Sequence, residues 1–252
     1  MQRSWKLALA ALVLLGLNAC TSAPELEKYS RTEIDRPYTL PSGLATWSTI
    51  VPVAFVQSTG GSAFLPPIPV PLFWKTALSD SWTLNFSPLP TSASYQISSS
   101  AKRLLGTTFG SSFGYASGTS GVSIEPAASF FWRERLSPVF ALEFVPSASA
   151  SFYTGGRSSF WNFALAVRPL YQITPLFAAR LNISLGYAYG AAFSTDTVSA
   201  PAFERLTLPI GASTVWSVGR QWDLNFSYTY DGIGYGGTYS AHVGRVEAKH
   251  YW

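Results

Sequence analysis

Charge, histidine and cysteine are all scarce in this chain, and each shortage excludes a class of protein. Charged residues make up 12% of the 252 residues, about half of the roughly 25% that is usual in soluble domains. Cys20 is the only cysteine and there are two histidines, so no internal disulfide can form and no zinc-type spacing exists. The net charge of +4 is small and scattered, which argues against nucleic acid as a partner.

Long apolar runs are scarce as well. The apolar segment at residues 7–17 follows Arg3 and Lys6, and it is shorter than the about 20 residues that a membrane-spanning helix needs. A short apolar core behind basic residues predicts a signal peptide over residues 1–19. Past residue 20 no apolar run of spanning length occurs, so a helical membrane protein is excluded.

The end of the chain shows a two-residue alternation that is typical of a β-strand. One set of alternating residues is mostly apolar, and the other is mostly charged: Gly244, Val246, Ala248, His250 and Trp252 against Arg245, Glu247, Lys249 and Tyr251. In a soluble sheet nothing obvious would cover the two terminal aromatic rings, whereas a membrane interface would cover them.

This alternation resembles the closing strand of bacterial outer-membrane β-barrels, which ends in an aromatic residue. The resemblance covers residues 42–252 at the level of architecture, and His250 stands where an apolar or aromatic residue is usual. It implies a porin-like protein of a Gram-negative outer membrane, surrounded by membrane lipids and lipopolysaccharide. It also implies that Tyr251 and Trp252 form the signal that the insertion machinery reads.

The stretch Leu17-Asn18-Ala19-Cys20 resembles a lipoprotein signal, which implies that Cys20 becomes the lipidated first residue. Asn18 departs from the small residue that is usual there, so cleavage by an ordinary signal peptidase after Ala19 or near Ala23 stays open. Residues 20–41 are polar and carry no sustained apolar period, which predicts a linker from the lipid to a barrel over residues 42–252. A short amphipathic helix is the alternative.

Short turns and longer connections alternate along the rest of the chain. Short turns are expected at 79–81, 137–138, 174–175 and 219–221, and longer Ser-, Gly- and Thr-rich connections at 58–62, 98–121, 154–158, 191–200 and 232–237. Tight periplasmic turns and longer extracellular loops are typical of outer-membrane barrels. We therefore predict an all-β, closed antiparallel transmembrane barrel of about ten strands with both termini periplasmic.

The ten predicted strands are 44–57, 68–78, 82–96, 122–135, 139–153, 159–172, 176–190, 202–217, 222–231 and 238–252. Prolines between Pro52 and Pro71 weaken the first two, because proline donates no ladder hydrogen bond and indicates bulges or a plug-like loop. An eight-stranded barrel without that pair is the alternative.

Strand alternation places nearly all charges of the barrel on the lumen face. They are Lys75, Glu125, Arg133, Arg135, Glu143, Arg168, Arg180, Arg205, Asp223, Asp231, Arg245, Glu247 and Lys249. On the lipid face a single Arg or Lys at mid-membrane would cost about 2–4 kcal/mol. The tryptophans fall beside tight turns or the C-terminus, where an aromatic girdle belongs: Trp82, Trp132, Trp216, Trp222 and Trp252.

Three functions remain open at this level. The first is a structural or surface-interaction barrel whose lumen is filled by paired charges, with 98–121 as the largest surface for a partner. The second is a narrow, mildly anion-favouring pore for small solutes. The third is a lipid A-modifying hydrolase, because lipid A deacylases also carry a Ser and a His two residues apart on a lipid-facing strand.

Ser240 and His242 show that spacing here in reversed order, with no acid clearly on their face. We therefore expect no enzyme, no metal site and no cofactor. The oligomeric state is open.

Overall fold

The computed structural model describes residues 24–27, 29–58, 61–67, 69–86, 91–116, 121–153, 158–192, 203–232 and 239–252. Within these ranges fourteen strands form one antiparallel sheet. They are β1 (Ala45–Ser58), β2 (Gly61–Leu65), β3 (Val70–Ser79), β4 (Trp82–Phe86), β5 (Thr91–Ser99), β6 (Arg103–Ala116), β7 (Gly121–Arg135), β8 (Phe140–Tyr153), β9 (Ser158–Thr174), β10 (Phe177–Ala192), β11 (Phe203–Thr207), β12 (Ile210–Val218), β13 (Trp222–Asp231) and β14 (Tyr239–Tyr251). Two single turns of 3₁₀-helix, Pro24–Glu27 and Glu33–Asp35, precede them.

The sheet closes on itself where the first strand meets the last. Thr46 of β1 pairs with Tyr251 of β14, and Ala45 and Trp252 exchange two backbone hydrogen bonds of 2.9 and 3.0 Å. β2 and β3 pair with successive parts of β1, and β11 and β12 pair with successive parts of β10. β2 and β11 therefore add no further member to the closed ring. Removing these two from fourteen leaves a ring of twelve strands, with no open edge among them.

The architecture is therefore the expected all-β, closed antiparallel barrel, but the predictions of ten and of eight strands are both wrong. The predicted strand at 82–96 covers β4 and most of β5, and the predicted connection at 98–121 contains β6. A fifth tight turn at 100–102 joins β5 to β6. Residues 98–121 are thus mostly barrel wall, so the surface proposed there for a partner is not a loop.

The composition of β6 explains the error. Its lumen-facing positions include Gly106, Thr108, Gly110 and Ser112. Because none of these is a large apolar residue, the sequence of this strand resembles that of a loop. The ring of Tyr38 occupies the space that a Cβ at Gly106 would need. The absence of a side chain at Gly106 therefore makes room for Tyr38, a residue that precedes β1.

Apolar side chains cover the outer face of the barrel. Large apolar residues such as Phe109 (55% exposed), Trp161 and Leu181 point away from the lumen. Near the tight turns, aromatic rings meet in pairs, including Trp74 with Trp252 at 5.4 Å. Such a belt is stable only when a membrane or another apolar phase covers it. In the described part of the chain no helix is long and apolar enough to span a membrane.

The chain before β1 enters the barrel at the end where the tight turns lie. We call residues 29–44 the inner segment, and the rim with the tight turns the turn-side rim. Ile34 packs against Ala141, Leu170 and Ala178 of the wall, and Leu40 and Leu44 cluster with Leu26 and Tyr251. Much of the stretch predicted as a linker, or as an amphipathic helix, therefore lies against the lumen wall. Its apolar anchors follow no helical or strand period, so sequence periodicity gave no sign of them.

Candidate functional site: the lumen and its inner segment

Arg36 is the central anchor of the inner segment. Its guanidinium donates to both carboxylate oxygens of Asp223 on β13, at 2.6 and 3.0 Å, and to Ser217 Oγ at 2.9 Å. It also pairs with Glu33 at 2.9 Å. The side chain is 8% exposed, and the bidentate geometry is the strongest that an arginine forms with a carboxylate. A buried, two-point ion pair thus joins the segment to the wall.

A second cluster on the opposite wall holds the same turn of the segment. Arg133 donates to Glu143 at 2.7 and 2.9 Å, and also to the backbone carbonyls of Glu33, Ile34 and Arg36 at 3.0 to 3.3 Å. Carbonyl acceptors of this kind complement a cation without adding charge. Arg133 therefore positions the backbone of the segment across the lumen.

Arg180 links the wall to the segment through two acids. It lies 3.0 Å from Glu33 and 3.2 Å from Glu143. The contact between Arg180 Nε and Glu143 Oε2 has ion-pair distance without hydrogen-bond geometry. Because the Arg133 bonds to Glu143 are shorter and well aligned, we regard Arg133 as the main partner of this carboxylate, which is 1% exposed.

Glu33 supplies negative charge where the inner segment meets the arginines of the wall. Burial alone would raise the pKa of its carboxyl, but Arg36, Arg180 and Arg133 lower it, from 4.5 to about 2. A carboxyl whose pKa is lowered by folding stabilises the docked state above its unfolded pKa, and this contribution is lost as the pH falls toward the folded value.

We therefore expect acid to loosen the inner segment between about pH 4.5 and about pH 2. Cleavage of the inner segment by pepsin should rise over that window, because protonated Glu33 no longer pairs with Arg36 and Arg180. Glu33→Gln should be loosened already at neutral pH and should lack this part of the acid response. An identical acid response in Glu33→Gln would contradict the assignment.

Tyr38 and Phe131 form the layer above the charged junction. Their rings stack at 4.8 Å, the Tyr38 hydroxyl shares a 2.5 Å hydrogen bond with Thr108, and its backbone N–H donates to Gln96 at 2.9 Å. This layer separates the charged half of the lumen from the half that faces the longer connections.

Beyond that layer the lumen opens into a cavity of about 430 Å³. Small residues of β5 to β9 line it, including Ser147, Ser149 and Ala164. Glu125 is the one charged residue among the lining residues that the structure describes; it accepts a 3.1 Å hydrogen bond from Ser149, to which Asn162 donates at 3.5 Å. Small side chains on five adjacent strands leave the bore empty where larger ones would have filled it.

The structure places the predicted lumen charges on strand positions that face the barrel interior. Arg133, Arg180 and Glu143 meet in one cluster, and Arg168 donates instead to Asn182 at 2.8 Å. Arg135 pairs with Asp35 of the inner segment. The remaining members lie on strands along the lumen: Lys75, Glu125, Arg205, Asp223, Asp231, Arg245, Glu247 and Lys249.

Sequence reasoning missed Glu33, Arg36 and Tyr38, because a polar stretch before a barrel was read as a solvated linker. Seven charged residues between 25 and 36 are an unusual density for this chain. That density, facing predicted lumen charges of both signs, was the signal that could have indicated docking.

The other predicted residues lie outside this cluster or outside the described ranges. Tyr251 faces the lumen and donates to Asp223 at 2.6 Å, whereas Trp252 packs on the outer face. His242 shares a 2.6 Å hydrogen bond with the Tyr228 hydroxyl. Cys20 lies outside the described residues.

No hydrogen bond joins Ser240 to His242 in the described part of the chain. The same part contains no group of three His, Cys, Asp or Glu residues that could hold a metal ion.

Comparison with known proteins identifies the architecture. No family model matches the chain, and no curated protein sequence is significantly similar to it. An outer-membrane channel from Pseudomonas putida F1 superposes with a TM-score of 0.59 at 12% identity, covering 85% of this chain and 97% of that one. The chain has the fold of an outer-membrane β-barrel.

Two further barrels are similar at a lower level. The monoaromatic hydrocarbon channel CymD has a TM-score of 0.44 at 9% identity, over 84% of this chain and 89% of that one. OmpT of Vibrio cholerae, with one loop deleted, has a TM-score of 0.42 at 8% identity, over 83% and 99%.

Proposed function

We propose that the protein is an outer-membrane channel for small solutes whose bore is narrowed by the inner segment. The observation that carries this proposal is the cavity of about 430 Å³ beyond the Tyr38 layer. A ring of about eight strands is just filled by its own side chains, whereas this ring has twelve strands and β5 to β9 present mainly Ser, Ala and Gly to its interior. The similar Pseudomonas putida protein is itself described as a channel, which agrees with the proposal.

The manner in which the bore is narrowed also favours a channel. The charged turn of the inner segment is held mainly by ion pairs and by hydrogen bonds to Arg133, which can exchange with water when the segment moves. Eight cations and five acids face the lumen among the predicted lumen charges. This excess of positive charge should give the pore a mild selectivity for anions. No catalytic step forms part of the proposal.

Conductance of the purified, refolded protein in a planar bilayer tests the channel. We expect small unitary steps, and a reversal potential in a potassium chloride gradient that is shifted toward chloride. Absence of steps both in the complete protein and after removal of the inner segment would refute the channel.

We also propose that the chain lies in the outer membrane, among lipids and lipopolysaccharide, with the turn-side rim and both termini at the periplasm. Tyr251 and Trp252 would serve as the insertion signal. Deleting both removes the Tyr251 bond to Asp223 and the Ala45–Trp252 closure, so we expect degraded or aggregated protein. A truncated protein that reaches the outer membrane and shows normal heat-modifiable migration would contradict this.

Lipidation of Cys20 stays a proposal that rests on the sequence Leu17-Asn18-Ala19-Cys20. A palmitate analogue should label the complete protein in cells but not the Cys20→Ser variant. Equal labelling of both would exclude it. The barrel should insert in either case, because its closing strand is unchanged.

A further inference from the structure

A smaller cavity of about 170 Å³ lies inside the charged half of the lumen, between the inner segment and the wall near the closure of the barrel. Lys75 of β3 and Lys249 of β14 line it from the wall, and Tyr38 and Leu40 line it from the segment. We propose that this cavity binds a small oxyanion, a carboxylate or a phosphate group, between the two lysine ammonium groups.

The strand register brings the two lysines together. Thr46 of β1 pairs with Lys75, and Ser48 of β1 pairs with Lys249. The side chains of Thr46 and Ser48 are buried on the lumen side, and residues paired across antiparallel strands share a face. With neighbouring strands about 4.8 Å apart, the two lysines start on the order of 10 Å from each other. Their long flexible stems can then converge on one anion.

Among the described residues no direct ion pair joins either lysine ammonium to an acid. The nearby acids are already engaged: Asp223 accepts from Arg36 and Tyr251, and Glu247 pairs with Arg245 at 3.0 Å. Glu247 also lies close enough to interact with both lysines, but its direct contact is Arg245, so positive charge is in excess in this confined space, which is unfavourable. A bound anion would supply the missing charge.

The rest of the lining suits an oxyanion better than an apolar or cationic solute. Thr83, Ser94 and Asn85 contribute hydroxyl and amide groups, and no acid belongs to the lining that the structure describes. A polar space of roughly 15 Å³ already holds one water molecule, so this cavity can hold several waters or one small oxyanion with part of its hydration shell. Charge-assisted hydrogen bonds from lysine to such a group are among the stronger ones in proteins.

The inference deepens the proposed channel and rests on it for its biological role, as a binding point on the path of conducted anions. Binding itself does not require conduction. The two can therefore be tested separately.

The test titrates the complete refolded protein in detergent with inorganic phosphate and, in a second series, with acetate. Calorimetry at constant ionic strength, with chloride as the balancing anion, measures the affinity. We expect saturable binding of at least one probe, and the two series tell phosphate from carboxylate. Lys75→Gln should weaken it about tenfold or more, as loss of one charge-assisted hydrogen bond implies.

Lys102→Gln is the matched control, because Lys102 is an exposed lysine in a turn and should leave binding unchanged. Combining Lys75→Gln with Lys249→Gln should abolish it, with heat-modifiable migration checking that each variant is folded. No binding to the folded complete protein, or unchanged affinity in Lys75→Gln, would overturn the site. Binding without conductance, in the complete protein and after removal of the inner segment, would uphold the site and refute the channel. Conductance without binding would uphold the channel and refute the site.

Discussion

Removal of residues 24–40 should raise the single-channel conductance several-fold. These residues contain most of the inner segment, and they occupy the lumen between the Asp223 wall and the Arg133 wall. Without them the charges of both walls face water, and the bore beyond the Tyr38 layer becomes continuous with the turn-side rim. Planar-bilayer recordings of the refolded deletion protein measure the effect.

Point variants of the same segment give the control. Arg36→Gln removes the bidentate pair with Asp223 and should produce frequent transitions to a higher conductance. Arg31→Gln changes an exposed arginine of the same segment and should behave as the unaltered protein. A folded deletion protein whose conductance equals that of the complete chain would show that the segment does not limit the bore.

Glu143→Gln should destabilise the barrel by about 3–5 kcal/mol, the usual cost of removing one partner from a buried ion pair. The carboxylate is 1% exposed and serves both Arg133 and Arg180. The amide that replaces it cannot neutralise either guanidinium, which would leave a buried cation uncompensated. Urea unfolding in detergent or lipid, followed by tryptophan fluorescence, measures the change.

Glu134→Gln is the matched control for that experiment. Glu134 pairs with Arg103 at 2.8 Å, but their side chains are 27% and 52% exposed, and exposed pairs contribute little to stability. Equal stability losses in the two variants would show that the Glu143 cluster is no stronger than a surface pair. Increased anion preference without loss of stability would place Glu143 beside a water-filled path instead.

Strand alternation by itself determined which side chains of the barrel face inward. Lys75, Arg133, Glu143 and Lys249 could be assigned to the lumen because a two-residue period, combined with the cost of a charge in lipid, leaves one arrangement. The all-β barrel architecture followed from the same alternation, whereas the closing role of the last strand came from the resemblance to outer-membrane barrels. These inferences are local, since they need only the identity of a residue and the parity of its position.

The number of strands was decided by tertiary structure. β6 resembles a loop in sequence because its inward positions are Gly, Thr and Ser. In the structure Tyr38 occupies the space beside Gly106, and Thr108, Gly110 and Ser112 line the cavity. The position of the inner segment depends likewise on contacts between residues far apart in sequence, such as Arg36 with Asp223 and Ile34 with Leu170. Single buried residues that follow no helical or strand period leave no recognisable pattern in the sequence. Each is determined by the residues of the barrel wall that it contacts, and not by its neighbours along the chain.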